Sequence, residues 1–407
     1  MFLNYSLFII HHSLFINFTT HGVGEMKIIH ILTDSNVGGA GILLENLLKH
    51  TSLPKEDITV ALPRGAAMAE RYASCGVGVE EMNICPDRSF SPRDLPYLTS
   101  FLRERKPDIL HTHAALGARW AAFRAGVPLR LATRHCAYPV SRINSSLPLR
   151  LLRRATDRAL THLTVATAYA AEENLCKLGI PRKKILLIRN GAEPLAEYSY
   201  AERAERREAL GISQDAFVVG AVGRLVPVKG HMTLLSAARI LLSRHTGYRF
   251  LLVGGGEEEE RLRRAALAPP LRGRVIFTGE VRDTAPYVNL FDVAVNCSVG
   301  TETSCLALSE AMSIGLPCIA SDFGGNPELV HEGENGLLFP VGDAAALAAC
   351  IERLREDSAL RHRLSVGAKK RFLACLNAEA MAREYDALYR RLFREFCTKA
   401  HTRTRKG

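Results

Sequence analysis

The sequence has 407 residues, a length that corresponds to two or three domains of about 150 residues each. Hydrophobic residues make up 47% and charged residues 23%, which excludes a disordered, collagen-like or disulfide-scaffold chain and is typical of a globular enzyme. The net charge of +11 favours anionic partners such as phosphates, nucleic acid or an acidic membrane surface, without distinguishing among them.

Residues 1–25 are apolar and aromatic, but they contain no Lys or Arg and are interrupted by His11 and His12. A signal peptide needs a basic start, and a membrane span needs about 20 apolar residues. We interpret 1–25 as an extension outside the fold, upstream of the true start, with a segment that touches a membrane as the alternative.

From Met26 onward, short β-branched runs alternate with helical patterns, which is typical of parallel sheets covered by helices. Two series of six strands are predicted, one on each side of Asn190-Gly191. The first series covers 28–33, 58–62, 109–112, 129–133, 163–166 and 185–188. The second covers 218–222, 250–253, 275–278, 293–296, 318–320 and 336–339.

These series predict an α/β protein with two doubly wound domains, residues 26–195 and 196–377. The charged segment 202–208 predicts a linker helix. An amphipathic pattern over 378–396 predicts a last helix, within a C-terminal region of residues 378–407 that ends in a basic tail.

The ten cysteines include no Cys-x-x-Cys pair, and most lie in apolar runs, as Cys297 and Cys318 do. A free thiol in such a run behaves as a small hydrophobic side chain. We therefore predict a reducing, cytoplasmic compartment, with neither a zinc site nor a disulfide framework.

A glycine turn, Gly38 and Gly39, follows the first predicted strand and leads into a helical pattern. Glycines at such a turn let backbone N–H groups approach a diphosphate, and the helix N-terminus adds partial positive charge. Close packing of the helix on the sheet is the alternative explanation, since the full GxGxxG pattern is missing.

A second loop, bracketed by Gly223 and Gly230, follows the first strand of the second series and carries Arg224 and Lys229. A guanidinium and an ammonium at the carboxyl edge of a sheet suit the two phosphates of a nucleotide diphosphate. Two solvated surface cations are the alternative.

Two glutamates, Glu302 and Glu310, follow the strand that ends at Asn296, the first in a loop and the second in a helix predicted to begin near Ser304 or Cys305. A carboxylate can accept hydrogen bonds from both hydroxyls of a sugar or ribose diol. Alternatively, the first is a helix N-terminal charge and the second a buried ion-pair partner.

This pair carries a resemblance to glycosyltransferase family 4, whose hallmark is a Glu, seven intervening residues and a second Glu. The resemblance runs from about residue 26 to about residue 396. The other motifs stand in the family's order: Gly38-Gly39, Asp108 to His113, Asn190-Gly191, Gly223 to Gly230, Gly254 to Gly256, and Gly324 to Glu328. The resemblance implies a GT-B fold, in which two Rossmann-like domains face each other. The second domain holds a nucleotide sugar, and the C-terminal helix crosses back to the first domain.

The resemblance also implies residue roles. Arg224 and Lys229 would hold the diphosphate, Glu310 the ribose hydroxyls and Glu302 the donor sugar. The resemblance also places Gly38 and Gly39 at the site, together with a segment that faces the base, Glu280, Val281 and Arg282, and a second segment, Thr303, Ser304, Cys305 and Leu306. On the first domain it implies His113 against the reacting sugar and His135 in the same cleft or at the acceptor. Thr303 and Ser304 replace the glycine and aromatic residue common in the family, so the donor sugar is left open.

The implied reaction is transfer of a glycosyl group with retention of configuration, from a nucleotide sugar to a glycan or lipid-linked acceptor. Arg and Lys would neutralise the leaving diphosphate, so we predict no metal or other cofactor and prefer a UDP-sugar as the donor. Asp283 and Asp292 lack the spacing and context of a metal pair.

Two alternatives stay open. A nucleotide-sugar 2-epimerase has a related two-domain fold but needs no acceptor. A nucleic-acid or polysaccharide-binding module would explain the basic tail, but Trp120 is the only tryptophan and no basic stretch alternates with aromatic residues, so we predict no nucleic-acid partner.

A basic helix is predicted in the first domain, because Arg150, Arg153, Arg154 and Arg158 recur among leucines after Pro148. Such a helix fits an anionic lipid surface, which would place the protein at the inner face of the membrane as a peripheral protein. A solvated basic face beside the acceptor cleft is the alternative.

Overall fold

The computed structural model describes residues 26–136, 141, 144 and 146–404. The extension predicted over residues 1–25 lies outside the described residues, as does the end of the tail, 405–407. The described residues form two separate sheets of seven and six strands, every strand pair parallel, with helices on both faces. The α/β, doubly wound class predicted from the sequence is confirmed.

The first sheet has the strand order β3-β2-β1-β4-β5-β6-β7. Its strands are β1 Ile28–Leu32, β2 Ile58–Pro63, β3 Gly78–Met82, β4 Ile109–His113, β5 Leu129–Arg134, β6 Leu163–Ala166 and β7 Ile185–Leu187. The six strands predicted for this series are all present. The sequence analysis missed β3, because this edge strand carries Glu80 and Glu81 and buries only its last residue well.

The second sheet has the order β10-β9-β8-β11-β12-β13, and all six of its strands were predicted. They are β8 Phe217–Val222, β9 Tyr248–Val253, β10 Val275–Phe277, β11 Val293–Asn296, β12 Cys318–Ser321 and β13 Gly336–Phe339. In both sheets the order reverses beside the first strand, between β1 and β4 and between β8 and β11. A crevice that can hold a ligand forms at the carboxyl ends of such strands.

Fifteen α-helices cover the sheets within the described residues. They are α1 Gly39–His50, α2 Ala69–Ser74, α3 Leu95–Arg105, α4 Leu116–Ala125, α5 Leu147–Leu160, α6 Tyr169–Lys177, α7 Tyr200–Ala209, α8 His231–Leu242, α9 Glu259–Ala266, α10 Ala285–Val288, α11 Leu306–Ser313, α12 Asn326–Leu329, α13 Ala344–Glu356, α14 Ser358–Arg371 and α15 Ala378–Thr404. Helix α7 is the predicted linker helix, and its first turn is closed by a capping box between Ser199 and Glu202.

The last helix, α15, crosses back to the first domain, as predicted. Tyr385 and Tyr389 on α15 are buried in the core that β1 and α1 also form. The crossing point is a backbone bridge between Ala192 and Asn377. A Cβ at Gly191 would lie 2.4 Å from the Asn377 carbonyl oxygen, so only glycine allows the two chain segments to pass this closely.

All ten cysteines lie among the described residues, and none forms a disulfide. Across those same residues, no helix combines the length and apolar character that crossing a membrane requires.

Candidate active site

One wall of the site is the loop between β8 and α8. Arg224 is exposed on this loop, whereas Lys229 lies deeper, at the end of the short turn Pro227–Lys229. The Lys229 Nζ lies 2.6 Å from the Glu302 Oε2. This ion pair joins the basic loop to the loop that carries the first glutamate, and its two residues are 73 positions apart in the chain.

Three donors converge on one oxygen of the buried Glu302 carboxylate. Its Oε2 accepts from Lys229, from the Ser298 hydroxyl at 2.7 Å and from the Asn296 amide at 3.2 Å. Burial by itself would raise the pKa of Glu302, but Lys229 and these hydrogen bonds outweigh it and hold the pKa below its usual range. Glu302 is therefore an ionised carboxylate that is held in place through its Oε2.

Lys229 is fixed in the same way. Burial would lower the pKa of its ammonium group, but the Glu302 carboxylate raises it above the usual range. Lys229 is therefore a cation at any physiological pH, held against Glu302.

The loop that carries Glu302 packs against a pair of glycines. Thr301 has a φ of 57°, which is uncommon for a residue with a side chain. A Cβ at Gly325 would lie 1.6 Å from the Thr303 carbonyl oxygen, and one at Gly324 would lie 2.1 Å from the Glu302 carbonyl oxygen. The Gly324-Gly325 motif therefore allows the glutamate loop to lie directly on it.

Glu310 lies on α11, which begins at Leu306, one or two residues later than predicted. Burial raises the pKa of Glu310 to about 7; a hydrogen bond with Thr284 opposes this rise, and Asp283 adds to it. The two glutamates therefore differ, Glu302 ionised and Glu310 close to half-protonated at neutral pH. Of the two glutamates, Glu302 is the one that forms an ion pair among the described residues.

The segment predicted to face the base follows β10. Glu280 and Arg282 are exposed and Val281 is half-buried. A backbone bridge between Gly254 and Gly279 holds this segment beside the end of β9. Its exposed backbone therefore lies at the carboxyl edge of the second sheet.

The opposite wall belongs to the first domain and carries His113, the last residue of β4. Its side chain is only 1% exposed. The His113 Nδ1 lies 2.9 Å from the His135 Nε2, and its Nε2 lies 3.1 Å from the His30 Nδ1. The next residue, Ala114, has a φ of 58°, a strain of about 1–3 kcal/mol of the kind found at functional sites. His135 is half-buried, so it is the histidine nearer the cleft.

Two hydrogen-bonded contacts join the walls. The Thr303 hydroxyl donates to the His135 carbonyl at 2.5 Å. The Glu328 carboxylate accepts from the backbone N–H groups of Tyr169 and Ala170, at 2.8 and 2.9 Å, at the N-terminus of α6. The structure thus brings the glutamate loop of one domain against the histidines of the other.

The glycine turn before α1 is not explained by packing. A Cβ at Gly38 or at Gly39 would meet no atom within 4 Å, whereas one at Gly41 would lie 3.1 Å from the Met68 Cγ. Gly41 therefore serves close packing, and the first two glycines leave open space at the N-terminus of a 12-residue helix.

The two aspartates weighed as a metal pair have structural partners. Asp283 accepts from the Ala285 backbone N–H, and Asp292 accepts from Arg207 and from the Val218 backbone N–H. A different set, His30, His111 and His113, has ring nitrogens close enough together for one ion. Sequence analysis missed His30, because only the register of β1 against β4 brings it beside this strand. It also missed His111, which lies two residues before His113 on β4 and could have been found from the alternation of side chains along a strand.

Two facing Rossmann-like domains have the architecture of the GT-B glycosyltransferases. In this protein one wall of the cleft carries the ion-paired Lys229 and Glu302, and the other carries the linked histidines.

Two family models match the chain, Glycosyltransferase Family 4 over residues 37–194 and Glycosyl transferases group 1 over residues 202–371. The chain therefore belongs to glycosyltransferase family 4 and is an enzyme of that type. The expectation drawn from the glutamate pair is confirmed, and neither the epimerase nor the binding module gains support from these similarities.

The sequence is 33% identical over 179 residues to the lipopolysaccharide core biosynthesis glycosyltransferase LpsE of Rhizobium meliloti, covering 44% of this chain and 51% of that one. The match thus spans about half the length of that relative. It is 29% identical over 278 residues to a UDP-Gal:alpha-D-GlcNAc-diphosphoundecaprenol alpha-1,3-galactosyltransferase of Escherichia coli, covering 66% and 71%. The fold is similar to that of Anabaena HepE, solved in complex with UDP and glucose, with a TM-score of 0.78 and 22% identity over 89% of this chain and 99% of that one.

Proposed function

We propose that this glycosyltransferase moves a sugar from a nucleotide diphosphate sugar, preferably a UDP-sugar, to a glycan or lipid-linked acceptor in the synthesis of a cell-surface polysaccharide or glycolipid. The Lys229–Glu302 pair at the carboxyl edge of the second sheet, facing the histidines of the first, is the observation that carries the proposal. The named donor and acceptor of the Escherichia coli relative and the UDP bound to HepE support it.

Different site residues bind different parts of the donor. Lys229 and Arg224 bind the diphosphate, because an oriented ammonium and an exposed guanidinium at this edge match its charge. Glu310 accepts from the ribose hydroxyls, and Glu302 offers its Oε1 to a hydroxyl of the donor sugar. The backbone of 280–282 meets the base, and the 303–306 segment lies beneath the sugar and phosphates.

The reaction retains configuration, with the acceptor hydroxyl attacking the face of the sugar from which the diphosphate departs. Lys229 and Arg224 stabilise the negative charge that develops on the leaving diphosphate, which is the largest electrostatic demand of the reaction. No step requires a metal ion. The half-buried His135 lies against the reacting sugar on the first domain's side, and Gly38 and Gly39 leave room for substrate there. His113, which the sequence analysis placed against the sugar, is buried behind His135 and acts through it.

Calorimetric titration with UDP, GDP and ADP tests the donor assignment. We expect UDP to bind most tightly, with one site per chain. Failure of all three nucleotides to bind would contradict the proposed function.

The pH dependence of nucleotide binding is expected to follow Glu310. Since its pKa lies at about 7, the carboxylate that accepts from the ribose forms only as the pH rises through neutrality. UDP affinity of the wild type should therefore rise about tenfold between pH 6 and pH 8. Calorimetry on Glu310→Gln supplies the control, because this variant keeps the titration of the phosphate itself and should lose the Glu310 contribution. Equal pH dependence in both proteins would contradict the role of Glu310.

We further propose that α5 binds an anionic membrane surface, which would bring the enzyme to a lipid-linked acceptor at the inner face of the membrane. Leu147, Leu151 and Leu152 are 66%, 55% and 59% exposed on this helix. Arg150, Arg154 and Arg158 are exposed as well, whereas Arg153 is half-buried and donates to the Asn144 side chain at 2.9 Å. Exposed leucines beside arginines suit an anionic lipid surface.

Flotation with anionic vesicles tests this surface. We expect wild-type protein to float at low salt and less at moderate salt, because salt screens the arginine contribution. The double variant Leu151→Ser, Leu152→Ser should lose about tenfold or more in partitioning, given the apolar area each leucine buries. Leu267→Ser, at an equally exposed leucine of the second domain, is the matched control and should float normally. No flotation of the wild type at either salt removes the hypothesis.

A further inference from the structure

Three histidines form a continuous chain of hydrogen bonds from the cleft into the core of the first domain. His135 is half-buried at the end of β5 and bonds through its Nε2 to the His113 Nδ1, at 2.9 Å. The His113 Nε2 in turn bonds to the His30 Nδ1, at 3.1 Å. Both ring nitrogens of His113 are therefore used by other histidines, and the ring nitrogen of His135 that lies outside these two bonds is its Nδ1.

The three imidazoles are neutral. Burial lowers the pKa of His30 to about 3 and that of His113 well below its usual range; burial and Arg134 lower the pKa of His135 to about 4. A neutral imidazole has one N–H donor and one bare nitrogen acceptor. Each histidine in the chain must therefore donate on one side and accept on the other.

This requirement couples the tautomers of the three rings. If the His30 Nδ1 donates, His113 must donate from Nδ1, and His135 must then carry its proton on Nδ1. If the His30 Nδ1 accepts, every proton lies on the other nitrogen, and the His135 Nδ1 is a bare acceptor. The tautomer of His30 in the core and the tautomer of His135 are therefore linked through His113.

We propose that His113 and His30 are positioning residues that set the tautomer and orientation of His135, the histidine that the proposed function places against a sugar hydroxyl. This inference rests on the proposed function for the identity of its ligand. The placement of His135 supports it, since its carbonyl is held by Thr303, next to Glu302 on the opposite wall. A hydroxyl can donate or accept, so a fixed tautomer selects one orientation of the sugar.

His111 provides a matched comparison. It is as buried as His30 and faces it across the register of β1 and β4. Its nitrogens bond instead to the hydroxyls of Tyr389 and Thr133, both at 2.7 Å. His111 is therefore a buried histidine of the same sheet that stands outside the chain.

The test uses the full-length protein with ¹⁵N-labelled histidine and compares His30→Leu, His30→Asn and His111→Leu. The side-chain nitrogen shifts report the tautomer of His135 without any substrate. We expect His30→Leu to change the His135 shifts and His30→Asn to preserve them, because the asparagine amide can replace the Nδ1 partner. His111→Leu should leave them unchanged, and thermal melting checks that all three variants fold.

Kinetics supply the second readout. His30→Leu should lower kcat about tenfold or more with little change in the donor KM, and His30→Asn should recover most of the loss. Unchanged His135 shifts in a folded His30→Leu protein would overturn the coupling. So would a stoichiometric metal ion on His30, His111 and His113 whose removal abolishes activity. Absence of any transfer by the wild type would instead contradict the proposed function, while the nitrogen shifts would still decide whether the chain exists.

Discussion

Replacing Lys229 by alanine is expected to weaken UDP binding about ten- to hundredfold, because a hydrogen bond to a charged group contributes roughly 1.5–3 kcal/mol. The substitution also leaves the buried Glu302 carboxylate without its ion-pair partner. An unpaired carboxylate beside the diphosphate repels it, and transfer should therefore fall further than binding does.

A second substitution separates the loss of the ammonium group from the effect of the unpaired Glu302 carboxylate. Calorimetry and transfer assays should compare Lys229→Ala with the double variant Lys229→Ala, Glu302→Gln. The double variant removes the uncompensated negative charge, so it should recover part of the lost affinity but not the contribution of the ammonium group. Wild-type affinity in Lys229→Ala would place the diphosphate elsewhere.

Replacing His113 by alanine is expected to lower turnover about a hundredfold or more, while UDP affinity stays within about twofold of the wild type. The nucleotide is bound on the second domain in our proposal, whereas His113 lies on the first and acts through His135. Steady-state kinetics and calorimetry on one preparation provide both numbers.

Glu310→Ala supplies the reciprocal control. It should weaken UDP binding by roughly 1.5–3 kcal/mol, since a ribose hydrogen bond to a charged acceptor is lost. Glu302→Ala should fall between the two, with more effect on transfer and sugar discrimination than on binding of UDP alone. Full transfer by His113→Ala together with full UDP affinity of Glu310→Ala would show that these residue roles are wrong.

The strand pattern was readable from the sequence because parallel strands buried on both faces appear as continuous apolar runs. All twelve predicted strands are present, and three have the predicted bounds, β6, β11 and β13. The missed strand, β3, is the edge strand of its sheet and carries two glutamates, so it lacks that signal.

The site was predictable only as a set of separate motifs. The sequence indicated a basic loop, a glutamate pair and a histidine at the end of a strand, and the structure places them on two facing sheet edges. The sequence alone could not show that Lys229 pairs with Glu302, because that contact depends on the loop that Gly324 and Gly325 support. The partnership of His113 with His30 was equally hidden, since it depends on strand register across 83 residues.

The most direct test of the central claim is NMR of the anomeric proton while the enzyme acts on UDP-sugars, with and without crude lipid or glycan extract. The proposal predicts that at least one donor releases UDP only when acceptor is present, that the new linkage has the anomeric configuration of the donor, and that His113→Ala loses this activity. Conversion of the donor to its epimer without an acceptor, or release of no nucleotide from any donor, would contradict it.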